Sequence, residues 1–229
     1  MKNIFLGILF FLTVMGTGCS TDAVEPELII EPPFEERISH DTLTSGNHLG
    51  IAINTTAEQA YMALQNFKNT QGLEYVNVTG EGASNMAQIG NRIPLYQSIF
   101  LDEKKGTDSG IQISFEAGKV KSIYLNSGKS LDQWPAKENA SSSVRIGDKV
   151  EDLQAKLLKI ESKSAYTHKF ERISMFIKIL GAAYDNVMTS SPQWYFRYEV
   201  EPKVYELVQI HFDHGRVKFI EVSRFKVPS

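Results

Sequence analysis

Histidine beside carboxylate is the first place to look for chemistry in this chain, and the one such cluster is His211-Phe212-Asp213-His214. On a strand, residues two apart project from the same face, so His211 and Asp213 could form an acid–base pair or offer two ligands to a metal. A third ligand would have to come from elsewhere, and His214 falls in a predicted turn. A matching upstream block carries Ser114, Glu116 and Ala117 at the corresponding places. A solvated strand face is therefore the favoured reading, and no metal ligand or catalytic residue is assigned. The other histidines are dispersed, with His40 and His48 in or beside a polar N-terminal stretch and His168 in a charged approach.

Other chemistries fare no better. No serine stands in a Gly-x-Ser-x-Gly elbow. Gly80-Glu81-Gly82 lacks the Lys-Ser/Thr of a phosphate loop, and Gly90 is too distant to complete a dinucleotide fingerprint. Asp102-Glu103-Lys104-Lys105 mixes both signs and reads as a solvated loop. Lysine and arginine number 24 against 27 acidic residues in 229, and pI ≈ 6.0 gives no basic footprint for nucleic acid. The expectation is a non-enzymatic protein without a cofactor.

Aromatic residues offer more. Trp194, Phe196 and Tyr198 alternate with Tyr195 and Arg197, so one row of this predicted strand (Trp194 to Val200) faces away from the core. Val208, Ile210 and Phe212 supply the core row of the next strand, which leaves Gln209, His211 and Asp213 outside. Tyr195 and Arg197 are expected to join that polar face, and both residue types are enriched among interface anchors. Tyr195, Arg197, His211 and Asp213 are thus the candidate protein-binding residues.

The elements that must position them begin after an export signal. Lys2 precedes a stretch, Ile4 to Met15, that is apolar apart from Gly7 and Thr13, and Gly16-Thr17-Gly18 then leads to Cys19, the only cysteine. That apolar run is shorter than the ~20 residues a membrane span needs. The junction resembles the lipobox of bacterial lipoproteins, with Gly16 where leucine is usual. The resemblance implies lipidation of Cys19 after removal of residues 1–18. Ser20 in the next position is similar to lipoproteins sent to the outer membrane of Gram-negative bacteria. A plain secretory peptide or an uncleaved anchor helix is the competing reading. Residues 19–46, acidic and bearing prolines 26, 32 and 33, read as a disordered tether with a reach of about 30 Å. Within it, Leu28-Ile29-Ile30 could dock as an added edge strand.

Beyond the tether the sequence matches itself. Ile53–Ala60 corresponds to Ile146–Leu153 at an offset of 93, and Ile111–Ile123 to Val208–Ile220 at 97, with seven of thirteen pairs identical in the latter. Two blocks in the same order at nearly one offset argue for a duplicated unit. Each upstream block opens a helix. Thr55 with Glu58 forms a capping box ahead of Ala57, Ala60, Tyr61, Leu64 and Phe67; Asp148 with Glu151 precedes Val150, Leu153, Leu157 and Ile160. Each downstream block is a hairpin turning at Ala117-Gly118 or His214-Gly215, and the apolar step of three on the return strand predicts a bulge in both. Between them lie a predicted strand near Pro94 to Leu101 and, in the second copy, a predicted helix through Phe170, Ile173, Phe176, Ile177 and Leu180.

The lead Ile146-Gly147-Asp148 with Glu151, and the hairpins Phe115-Glu116-Ala117-Gly118-Lys119-Val120 and Phe212-Asp213-His214-Gly215-Arg216-Val217, resemble the small α+β unit of the beta-lactamase inhibitor protein family. A related single unit occurs in the assembly lipoprotein BamE. The resemblance implies sheets that present a surface to another protein, and no catalytic residues. The expected fold is α+β, two tandem helix-plus-antiparallel-sheet repeats: residues 1–18 signal, 19–46 tether, 47–130 first repeat, 131–143 linker, 144–229 second repeat. The expected function is a lipid-anchored envelope protein, on the outer membrane of a Gram-negative bacterium, that binds another envelope or secreted protein as scaffold or assembly factor. It would touch the membrane through its anchor alone. The alternatives are a periplasmic inhibitor or immunity factor and, third, a metal or small-ligand binder using His211 and Asp213.

Overall fold

The structure, a computed structural model, describes residues 35–80 and 82–228. The chain runs through strands β1 (Glu36–Leu43), β2 (Asn47–His48) and β3 (Ile51–Ala52), helix α1 (Ala57–Gln71), strand β4 (Tyr75–Val78), the short helix α2 (Met86–Ile89), and strands β5 (Ser98–Asp102), β6 (Ile111–Glu116) and β7 (Lys119–Leu125). It continues through β8 (Ser130–Leu131), β9 (Gln133–Trp134), β10 (Val144–Arg145), helix α3 (Leu153–Glu161), and strands β11 (Arg172–Ser174), β12 (Ile177–Ile179), β13 (Gln193–Glu201), β14 (Val204–Asp213) and β15 (Arg216–Lys226). The architecture mixes helices with antiparallel sheets, and strand far exceeds helix. One main sheet has the order β1-β15-β14-β13-β4-β12 and the other β11-β5-β6-β7-β8.

Local chemistry explains most elements. Helix α1 buries Ala57, Ala60, Tyr61, Leu64 and Phe67, the face expected from their spacing, and stops at Gly72 in the left-handed region. Its cap is Thr56, with Gln59 closing the capping box, one residue later than expected. The backbone of Asn54 and Thr55 is already paired with Val217, so the helix starts only after them. Asp148 does not cap α3. A 3-10 turn over Val150–Asp152 intervenes, and the Asp148 carboxylate accepts from the Arg145 amide at 2.7 Å and Lys156 Nζ at 2.6 Å. Both hairpins carry the predicted bulge, at Ser114/Phe115 against β7 and at His211/Phe212 against β15.

Residues 47–130 and 144–229 do not form separate bodies. Strand β4 of the first segment pairs with β13 of the second, and β11 of the second pairs with β5 of the first. Helix α1 packs in one core with Trp194, Phe196, Val208, Ile210 and Ile220, whereas α3 packs in the other with Ile99, Ile111, Ile113 and Ile123. The same three backbone hydrogen bonds fasten each lead segment to a hairpin. Asn54 N donates to Val217 O, Val217 N to Thr55 O and Ala57 N to Gly215 O. In the other core Gly147 N donates to Val120 O, Val120 N to Asp148 O and Val150 N to Gly118 O. Asn54 and Gly147 both have positive φ, of 69° and 88°, which explains why a residue tolerant of that region stands at each position.

Four other expectations are corrected. Residues 36–43, assigned to the tether, form β1 on the edge beside β15, while Cys19 and the rest of the tether before residue 35 lie outside the described residues. The helix expected through Phe170–Leu180 is a 3-10 turn followed by β11 and β12; partner strands β5 and β4 supply hydrogen bonds that outweigh an apolar spacing compatible with either state. The linker 131–143 is structured, with β9 pairing β10 and Trp134 buried in a core. Asp102 is fully buried, accepting from the amides of Glu103 and Thr107, the Thr107 hydroxyl and Arg172.

The two cores meet at β12. Its Lys178 pairs with Val76 on one side and bridges Tyr96 on the other, and Gln97 N donates to Ile177 O at 2.8 Å. Lys178 is fully buried, and its Nζ donates to the Tyr61 hydroxyl at 2.9 Å and the Ile179 carbonyl at 3.1 Å. Nearby, Tyr96 Oη and Arg92 Nε each donate to Asp185 Oδ2 at 2.7 Å. Burial pushes the Lys178 ammonium down to about 8, against the opposing pull of Asp185. The unfolded chain, with lysine near ~10.4, binds this proton more tightly. The penalty is therefore fully present below pH 8 and is relieved as pH rises toward ~10, with a slope approaching ~1.4 kcal/mol per pH unit. Denaturant midpoints taken from pH 7.5 to 9.5 are expected to rise in the wild type relative to Lys178→Met. Parallel profiles would contradict this assignment.

Candidate functional site

The six-stranded sheet has one face under α1 and another turned away from it. Strand register decides which side chains share the outer face. Trp194 pairs with Ile210 and Phe196 with Val208, all buried, so Tyr195 opposite Gln209 and Arg197 opposite Leu207 lie on the other side. From Tyr195 the outer row continues to Asn77 on β4 and Ile177 on β12; in the other direction it passes through Gln209 to Glu221 on β15 and Thr42 on β1. Tyr195 is exposed, at 37%.

The four residues singled out from sequence are not one constellation. Arg197 makes a two-point ion pair with Glu35 at 2.6 and 3.0 Å, and its guanidinium lies 4.2 Å from the centre of the Tyr205 ring. His211 does not pair with Asp213. It stacks on Phe219 with ring centres 4.1 Å apart and places Nε2 2.9 Å from Glu221 Oε2. Asp213 sits at the hairpin end, 2.7 Å from His214 Nδ1 and 3.8 Å from Lys218 Nζ. The extra residue of the bulge, Lys218, lies on β15 and is the one that faces Asp213.

What joins His211 is a polar group spanning three strands. Glu221 stands between His211 on β14 and His40 on β1, whose Nε2 is 4.0 Å from Glu221 Oε1. His40 Nδ1 is 2.9 Å from the hydroxyl of Ser223, a buried side chain. Sequence reasoning missed this group because His40 was assigned to the tether. The alternation Phe219, Glu221, Ser223 and Phe225 after the bulge was the available signal for the rest. Among the described residues, no group of three or more His, Cys, Asp or Glu side chains is arranged to hold a metal ion.

At the other end of β13 the inner row turns polar. Glu206 accepts from Tyr198 at 2.5 Å and from Arg224 at 2.7 and 3.2 Å, with His48 Nε2 3.9 Å away. Burial would raise this carboxyl, but the hydrogen bonds from Tyr198 and Arg224 outweigh it and hold it below the ordinary range. This cluster closes the end of the core beneath α1, where Phe67 packs edge-on against Tyr198 at 4.9 Å.

The outer face thus offers an exposed tyrosine, an arginine stacked on a second tyrosine and a histidine–carboxylate group on a regular sheet. That chemistry suits contact with another protein. No helix among the described residues is long and apolar enough to cross a membrane. Comparison with protein-family models, with curated proteins and with solved structures found no match to this chain.

The two rows of β13 should differ sharply on truncation. Phe196→Ala is expected to lower stability by about 3–5 kcal/mol, whereas Tyr195→Ala should change it by less than about 1 kcal/mol. Chemical denaturation checks this, and equal losses would mean that the outer row is also packed.

Proposed function

We propose that this chain is a lipid-anchored bacterial envelope protein, without enzymatic activity, that binds another envelope or secreted protein as scaffold or assembly factor. The observation that carries the reading is the open outer face of the six-stranded sheet, where Tyr195, Tyr205 and Arg197 stand beside the His211–Glu221–His40 group. The apolar leader ending at Gly18-Cys19 supports anchoring through a lipid on Cys19, with the outer membrane of a Gram-negative bacterium as the destination.

We also infer that the chain is a tandem duplication whose halves exchanged parts. Three corresponding hydrogen bonds, two corresponding bulges and the matching strand orders β15-β14-β13-β4 and β7-β6-β5-β11 support it. One helix over an antiparallel sheet, twice, also supports the likeness to the beta-lactamase inhibitor protein unit, whose sheets meet a partner protein.

Changing Cys19 to Ala is expected to move the protein from the membrane fraction to the soluble fraction; retention of the variant on membranes would refute the anchor. For the surface, a photocrosslinking amino acid at position 195 or 209 should capture one partner in native envelopes. At Met62, exposed on the opposite side at 59%, it should not. Equal capture from position 62 would refute the sheet face as the site.

A further inference from the structure

The outer face does not end flat. At its β12 edge, Tyr75 and Ile179, an in-register pair, form one wall of a cleft of about 260 Å³. The opposite wall is the tip of the β6–β7 hairpin with Phe115, and Val150 closes one side. The cleft lies where the two cores abut, and it is continuous with the proposed contact surface through Asn77, which pairs with Tyr195.

Its lining mixes apolar and aromatic groups with two exposed carboxylates, Glu116 and Glu151, and Glu74 stands beside Tyr75. Lys121 answers Glu116 at 2.8 Å, while Glu151 has no ion-pair partner among the described residues. Burial, then Glu74 and Glu116, push the Tyr75 hydroxyl above the ordinary tyrosine range, against the opposing pull of Lys121. The Gln97 side chain adds a hydrogen-bonding group to the lining.

We propose that this cleft receives an arginine side chain of the partner protein, its aliphatic stem against Phe115, Val150 and Ile179 and its guanidinium between Tyr75 and the Glu116–Glu151 rim. The inference rests on the protein-binding reading above and adds the chemistry of the partner. Arginine fits better than lysine because a planar, weakly hydrated cation can stack on an aromatic ring and meet carboxylates in the same position. The volume, near the low end for ligand pockets of ~300 Å³, admits one long side chain rather than a large ligand. Arginine is also one of the residue types enriched among interface anchors.

The probe is acetyl-leucyl-arginine amide, titrated into the full chain and followed by amide chemical shifts. Shifts are expected at Glu116 to Gly118 and at Val150 and Glu151, weakening with salt. The double variant Glu116→Gln, Glu151→Gln, both surface positions that leave the fold intact, should weaken binding about five- to tenfold. The norleucine and glutamate analogues should bind less tightly, and lysine should fall between. No shift at these residues, or equal binding of the glutamate analogue, overturns the proposal. Crosslinking from position 195 in the same double variant separates the two readings. Capture from 195 undiminished in the double variant, with no dipeptide binding to the wild-type chain, leaves the face standing and removes the cleft; dipeptide binding to the wild type without any capture from 195 does the reverse.

Discussion

The backbone hydrogen bonds between Asn54, Thr55 and Ala57 and the turn at Gly215–Val217 join positions about 160 residues apart, and α1 depends on them. An amphipathic helix of fifteen residues has little stability by itself; it persists because its apolar stripe has a sheet to cover. That sheet is made by the other end of the chain. The seam fixes where the helix begins, and its position places Tyr61, Leu64 and Phe67 over Trp194 and Phe196. The corresponding seam at Gly118–Val120 does the same for α3, but between neighbours in sequence. One arrangement is therefore built twice, once between segments about 30 residues apart and once between segments about 160 residues apart.

Joining the two cores puts a charge where apolar packing would be cheaper. Lys178 is taken out of water between Tyr61 and Tyr96, and a buried ammonium costs more than its hydrogen bonds return unless a carboxylate is close. Asp185 serves that role, and it also receives Tyr96 and Arg92 from the other side of the joint. The group is directional, so it selects one register of β12 against both neighbours. Apolar residues there would pack without that selection.

The same geometry makes the outer face. Because β13 alternates over residues 193–199 and β14 over residues 206–213, committing Trp194, Phe196, Val208 and Ile210 to α1 leaves Tyr195, Arg197, Gln209 and His211 no inward option. The addition of β1 beyond β15 then brings His40 to Glu221, and β12 beyond β4 carries the face into the cleft below the β6–β7 hairpin. Both additions come from segments with short or weak periodicity, and they supply what distinguishes this surface from a plain sheet.

What could be read from residues alone was whatever period and turn chemistry decide locally. The buried face of α1, the two hairpins with their bulges and the inward and outward rows of β13 and β14 follow from spacing, because a helix or strand has one way to bury its apolar side. Those rules also placed Tyr195 and Arg197 on one face. They could not show that Glu35 occupies Arg197, that His211 turns to Glu221 rather than Asp213, or that residues 36–43 leave the tether to form an edge strand. Pairing partners decide these, and a strand's hydrogen-bonding groups carry no address in the sequence. For the same reason the stretch from Phe170 to Leu180 looked helical and became two strands, and two segments that looked like separate repeats share both cores. Local sequence determined the elements with a clear period and turn; only tertiary structure decided the type of the ambiguous segments and which element completes which sheet, because those choices depend on backbone hydrogen bonds and burial between residues far apart in the chain.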